Sequence, residues 1–413
     1  MNIGVIALAR STFDIDFAKE KLSQCVDFLH STEHKIFGNC ELLLDESNLM
    51  REIEKLKVTP LEFILILQAT FTDAQITSKI STSFNLPLGI WAFPEPRLGG
   101  RLRLNAFCGL NLASHCLAQK NRKFSWIYAD PKSINNDKFC KFFEKKDNKV
   151  CLVKKEQSGA TSERAKLLKY KISNFKIARI GNPPDGFDTC HYSQEKLDKL
   201  CGIKVDEIEL DKFLAISKKI GENRIKETFS LLEGQIDELK SVNQLELERS
   251  LKLNESLKEF QKKGEYNAFA IRCWPEMFTK YGGAVCGPVS IMTERKVPCA
   301  CEADVYGAVS QLILQEVSKQ AVFLTDIVDI DYEDNSGVFW HCGQAPISMC
   351  DPDFTPRATI HVNRKMPLLF EFPLKAGQVT IMRVSQSFGE HLLKQFHHYF
   401  LSKKVEWIPE TME

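Results

Sequence analysis

Residues 2–31, NIGVIALARSTFDIDFAKEKLSQCVDFLHS, hold the pattern on which the fold turns. The stretch opens with an apolar run that ends at Arg10 and Ser11. From Asp16 onward apolar residues recur at helical spacing, so a buried strand is followed by an amphipathic helix. The same order returns downstream. Residues 49–56 read as a helix, EFILILQAT (62–70) as a buried strand, 73–81 as a helix and LPLGIWAF (86–93) as the next strand. Continuously apolar strands separated by helices imply a parallel sheet covered on its faces. Ligands of such sheets sit beyond the carboxyl ends of the strands. Those ends carry Arg10, Ser11, Gln68, Thr70 and residues 93–97, which are either rim residues or ordinary turn residues.

Further along, no glycine-rich fingerprint follows the first strand and no Walker-type loop occurs, so neither a dinucleotide nor a nucleoside triphosphate is indicated. Arg97, Arg101 and Arg103 lie on a glycine-punctuated loop before an apolar helix that carries His115. They could hold an anion or form a solvated loop. KFSWIYA (123–129) is a strand, and the lysine-rich region 132–155 reads as an exposed connection between domains. KIARIGNPPDGF (176–187) is a strand running into a turn, and residues 203–210 alternate as a half-buried strand does. Residues 211–263 are charged and helix-forming, which predicts two helices broken near Gly221 or Gly234. Residues 357–385 return to short alternating segments, as in a small antiparallel β unit. Residues 388–413, with His391, His397 and His398, read as a short amphipathic helix and a tail.

A chain of 413 residues is too long for one small core and implies two or three domains. The balance of 55 Lys+Arg against 54 Asp+Glu gives no bulk attraction for nucleic acid or an acidic membrane surface. No apolar run approaches the ~20 residues that span a bilayer, and the N-terminus lacks a secretory pattern. The 14 cysteines lie in apolar settings without a Cys-x-x-Cys pair. They predict free thiols, a reducing cytoplasmic location and no structural zinc.

Residues 272–346 concentrate polar ligand types among core-like residues. Glu302 follows VPCAC, Asp326 follows AVFLT and His341 follows GVFW, positions at which buried strands would emerge from a sheet. Two carboxylates and an imidazole suit a divalent ion such as Mn²⁺ and leave coordination positions for substrate oxygens. The plainer reading is three solvated or hydrogen-bonded side chains.

IRCWPEM (271–277), CEADVYGA (301–308), LTDIVDID (324–331) and WHCGQAP (340–346), with weaker support from ARIGNPPDGF (178–187) and ILQATFTDAQI (66–76), resemble the L-fucose isomerase and L-arabinose isomerase superfamily, more closely its fucose isomerase side. The likeness runs through most of the chain. It implies a Rossmann-like domain at 1–150, a second α/β domain at 151–355 carrying the metal-site residues, and a short β-rich unit at 356–413. It also implies a metal-dependent aldose–ketose isomerase of the pentose or deoxyhexose class that works through a cis-enediol. Glu302 and Asp326 fall on the catalytic pair, and Glu302, Asp326 and His341 on the ligands of Mn²⁺ or another divalent cation such as Co²⁺ or Mg²⁺. Gln68, Trp274, His397 and His398 are candidate sugar contacts, with the late pair favoured over His361 as the closing histidine. A homo-oligomer without nucleic-acid or membrane partners is expected. The C-terminal unit is shorter than the family pattern, so a catalytically silent paralogue that binds sugar or acts in an assembly is the alternative.

Overall fold

The computed structural model describes residues 1–97, 102–144, 163–361, 363–387 and, as backbone, 390–400. Its first sheet joins β1 (Asn2–Leu8), β2 (Lys35–Phe37), β3 (Leu42–Leu43), β4 (Phe63–Gln68), β5 (Leu88–Ala92) and β6 (Ser125–Tyr128). The order is β2-β1-β4-β5-β6, with β3 paired to β1, and every pairing is parallel. Apart from the short β2 and β3, which follow one another, strands alternate with helices: α1 (Ile15–His30), α2 (Glu46–Lys57), α3 (Ala74–Ser83), α4 (Ala106–Gln119) and α5 (Asn136–Glu144). The first three helices start where an aspartate accepts a hydrogen bond from a first-turn N–H, as Asp14 does from Phe17, Asp45 from Asn48 and Asp73 from Gln75. Central strand residues such as Ile6, Leu65, Ile66 and Trp91 are sealed from solvent. Each such burial contributes about 1.5–3 kcal/mol, which is why the apolar runs settle at the middle of the sheet.

The second sheet is smaller and also parallel. It follows α6 (Glu163–Ile172) and runs β10-β9-β7-β8, built from β7 (Lys176–Ile180), β8 (Lys204–Ile208), β9 (Ala268–Ile271) and β10 (Cys299–Ala300). Between its strands lie α7 (Gln194–Leu200), α8 (Leu210–Ser217), α9 (Glu222–Glu233), α10 (Gln244–Gly264) and α11 (Cys286–Glu294), and α12 (Val305–Ser318) follows. Three antiparallel hairpins complete the described chain: β11 (Asp326–Asp331) with β12 (Ser336–Trp340), β13 (Arg357–Thr359) with β14 (Leu369–Glu371), and β15 (Gly377–Ser387) with β16 (Glu390–Phe400). Among the described residues no helix is long and apolar enough to cross a membrane.

Several sequence expectations change. The lysine-rich 132–155 is not wholly an exposed connection, because α5 inserts Phe139 and Phe142 into the first core, against Trp91 and Phe63. Residues 145–162 lie outside the described residues. The charged segment 211–263 forms three helices, broken both at Gly221 and after Glu233, so that α9 packs against the first half of α10 and α8 against its second half. The late amphipathic helix is instead β16, paired residue for residue with β15 from Gly377↔Phe400 to Ser387↔Glu390. Its aromatic residues suit a strand, and pairing along a whole neighbour outweighs a weak helical periodicity. Finally, Asp326 begins a strand; 321–325 has no regular structure.

Candidate active site

The carboxyl ends of the two sheets face a common cavity of about 960 Å³. Arg10 and Phe71, just past β1 and β4, line it from one side. Cys273 and Trp274, just past β9, and Glu302, just past β10, line it from the other. Asp326 and His341 complete the set, as the topology of their hairpin explains. Antiparallel register sets Asp326 opposite Trp340, so His341, the next residue, emerges at the same open end as Asp326. Glu302, Asp326 and His341 therefore share one wall space, although the third sheet end expected for Asp326 is a hairpin mouth.

Glu302 sits in a strained turn. Glu302 and Ala303 are consecutive left-handed residues, with φ of 57° and 54°. Left-handed backbone at non-glycine residues costs of order 1–3 kcal/mol each and persists where surrounding contacts impose it. Those contacts are visible. Asp304 accepts a hydrogen bond from the Gly307 N–H at 2.8 Å, capping α12, and both its oxygens accept from the Arg383 guanidinium on β15. Arg383 also donates to the Thr189 carbonyl at 3.2 Å. β15 thus clamps the turn that presents Glu302.

The electrostatics follow from this confinement. Asp326 is open to the cavity, but the cavity is itself walled by protein, so its carboxylate lacks the screening of bulk water. Burial, with Asp326 as a second negative neighbour and His341 opposing, pushes Glu302 up to about 8. Burial likewise raises Asp326 despite His341. Burial alone would lower the His341 imidazole, yet Cys342 and the two carboxylates carry it up to about 10. Among the described residues neither the Glu302 nor the Asp326 carboxylate receives a protein hydrogen bond. Two mutually repelling carboxylates without donors are what a cation or substrate hydroxyls would complete. The imidazole is less open. Gln344 Nε2 lies 2.8 Å from His341 Nε2, and the Cys342 N–H donates to Nδ1 at 2.9 Å. Among the described residues no three His, Cys, Asp or Glu side chains are gathered as a ready metal cage. The donor chemistry of Glu302 and Asp326, two carboxylates on one cavity, suits a divalent ion, and His341 would join only after parting from Gln344.

A sulfur cluster backs the histidine. Cys286 Sγ and Cys342 Sγ lie 3.8 Å apart, and the Cys286 contact, together with the adjacent His341 imidazole, holds the Cys342 thiol well below its ordinary value. The 13 cysteines among the described residues are all free.

A family model described as fucose/sulfoquinovose isomerase, N-terminal domain, matches residues 4–156. The sulfoquinovose isomerase of Priestia aryabhattai is 29% identical over 390 residues, which cover 92% of this chain and 81% of that protein. The sulfoquinovose isomerase of Alkalicoccus urumqiensis is 28% identical over 383 residues, 92% of this chain and 82% of the relative. That of Clostridium sp. (strain MSTE9) is 25% identical over 386 residues, 93% and 82%. The chain is thus similar to the fucose/sulfoquinovose isomerase N-terminal domain over residues 4–156, and to these sulfoquinovose isomerases along most of its length.

The remaining candidates divide. Trp274 is on the cavity wall. Gln68 is not; it is fully buried and its amide donates to the Thr70 carbonyl and Thr72 Oγ1, at 2.7 and 2.9 Å, so it shapes the loop after β4. Arg97 and Arg103 are engaged by carboxylates of the chain itself. Arg97 pairs with Asp329 and Asp331 on β11, and Arg103 with Asp14 at 2.8 Å, while Arg101 lies outside the described residues. The backbone of His397 and His398 stands opposite Thr380 and Val379 in β16, and their side chains lie outside the described residues. His361, passed over for that pair, does line the cavity and packs edge-on against Phe278. Asp304, Arg364 and Arg383 were missed. For Asp304 a signal existed, since an aspartate three residues before glycine at the head of an apolar segment is a helix-cap pattern. Arg364 and Arg383 reach the cavity only through tertiary folding.

Proposed function

We propose that this protein is an aldose–ketose isomerase that moves a proton between C2 and C1 of an open-chain sugar. The observation that carries this reading is the convergence of Glu302, Asp326 and His341 on one cavity, with Glu302 held near 8 by burial and by its acidic neighbour. A carboxyl group that titrates close to neutrality can take a proton from C2 and return it to C1 without a large mismatch in either direction. Asp326, on the same cavity, exchanges the proton that travels between the two hydroxyl oxygens. Trp274, Phe187 and Phe278 supply an apolar wall that keeps bulk water from the reacting carbons. A divalent cation such as Mn²⁺, held by Glu302, Asp326 and His341, would supply the Lewis acid that offsets negative charge on the sugar oxygens. Sulfoquinovose is the first sugar to test because it names the relatives' activity, ahead of the pentoses and deoxyhexoses that the fucose isomerase likeness suggests.

The test is direct. Purified protein with Mn²⁺, Co²⁺ or Mg²⁺ is incubated with sulfoquinovose, L-fucose or L-arabinose in deuterated water, and the sugar is followed by proton NMR. Conversion of one aldose to its ketose is the expected result. No conversion of any of these sugars with any of these metals overturns the proposal.

A further inference from the structure

Three arginines line the cavity, and their partners differ. Both guanidinium arms of Arg383 are engaged by Asp304. Arg10 gives one arm to Asp73 at 2.5 Å. Arg364, half-buried, has no carboxylate or hydrogen-bond acceptor for its side chain among the described residues. Lys375, at the exposed margin, donates to the Ser348 carbonyl at 2.9 Å. Arg10 and Arg364 both lie over Trp274, their guanidinium carbons 5.8 and 5.7 Å from the ring centroid. The ring is fixed in turn by edge-on contact with Phe187 at 5.4 Å. An aromatic face stabilises each cation by about 0.5–2 kcal/mol but does not cancel like-charge repulsion between them. Two arginines brought to one indole inside a cavity, one with no counter-charge, form a cradle that an anion completes.

We propose that Arg364, with Arg10 and Trp274, is the specificity subsite of the isomerase and holds a tetrahedral anionic group at the end of the sugar remote from its carbonyl. The inference rests on the isomerase reading for which end of the sugar meets Glu302 and Asp326. A planar guanidinium gives two parallel N–H donors to such a group, whereas a neutral hydroxymethyl or methyl would leave Arg364 buried and uncompensated. Sulfonate and phosphate share this chemistry, and the experiment separates them.

Wild type, Arg364→Gln and Arg364→Lys are compared on sulfoquinovose, glucose 6-phosphate and the neutral 6-deoxyglucose. Calorimetric affinity is measured alongside kcat and KM. Wild type is expected to bind one anionic sugar about 100-fold more tightly than the neutral one, the size of effect typical for a desolvated charge pair. In R364Q that ratio should collapse toward one, mainly through KM, and R364K should restore part of it. Preference for glucose 6-phosphate would assign the subsite to phosphate, and preference for sulfoquinovose to sulfonate. Equal affinity of wild type for charged and neutral sugars, or an unchanged ratio in folded R364Q, overturns the inference. Tight, Arg364-dependent binding of an anionic sugar without turnover would instead overturn the isomerase reading and leave the subsite standing.

Discussion

Glu302 shows how one residue can be fixed by chemistry that does not involve it. Its left-handed backbone is imposed by Asp304, Arg383 and the start of α12, while its own carboxylate is left without a donor among the described residues. The side chain is therefore free to act and contributes little to folding. Glu302→Gln and Asp326→Asn should each lower kcat by at least ~100-fold, the typical loss of a general acid or base. Without metal their melting temperatures should match wild type or rise, because each amide removes a like-charge repulsion in a cavity. Unfolded or aggregated variants would mean that the carboxylates hold the fold instead. These two residues and His341 could be picked out of the sequence as candidates because each stands alone beside an apolar run. Arg364 was not, since nothing in HVNRKMP distinguishes it from a surface arginine. Gln68 misled for the opposite reason, as a polar residue ending an apolar strand serves equally well as a buried loop anchor.

At the scale of elements, the hairpin β11–β12 decides where Asp326 points. The hairpin does not join either parallel sheet; it packs on the first domain through Ile327 and Ile330. Polar ties set its position. Tyr128 at the end of β6 donates its hydroxyl proton to the buried Asp329, and Arg97 reaches Asp329 and Asp331. Burial raises the Asp329 carboxyl even with Tyr128 and Arg97 pulling it down, which marks how much that carboxylate depends on its donors. Tyr128→Phe should destabilise the protein by about 1–3 kcal/mol, the cost of leaving a buried acceptor short of a donor. It should also lower kcat by up to ~100-fold, since a reacting group displaced by about 1 Å loses that much. Denaturant unfolding and steady-state kinetics on the same preparation check both effects; a change in stability with intact kinetics would separate the tether from the site. The hairpin was half legible. GVFW reads as a strand ending before His341, whereas the strand expected in AVFLT instead begins at Asp326, and local pattern does not reveal that the two strands pair with each other. The same limit explains β16, whose full-length partner β15 overrode its helical periodicity.

In the whole molecule, the two parallel sheets were readable from their alternating strands and helices, and the location of a site beyond their carboxyl ends followed from that class of fold. How the ends come together was not readable, because it depends on contacts between distant segments, such as Arg383 with Asp304. This arrangement makes a prediction for metal. Glu302 comes from the second sheet and Asp326 from a hairpin seated on the first domain, so an ion held by both ties two parts of the molecule and should bind only the folded chain. Linkage then requires stability to rise with free Mn²⁺ by about 1.4 kcal/mol for each tenfold increase above the dissociation constant. Melting temperature measured across a Mn²⁺ series should climb with the logarithm of concentration in wild type. It should stay flat in Glu302→Gln and Asp326→Asn, and His341→Gln should keep a weaker rise because the carboxylates are the open donors. A wild-type curve independent of Mn²⁺, Co²⁺ and Mg²⁺ would remove the metal from the mechanism. A slope retained by both carboxylate variants would move the ion to another place in the fold.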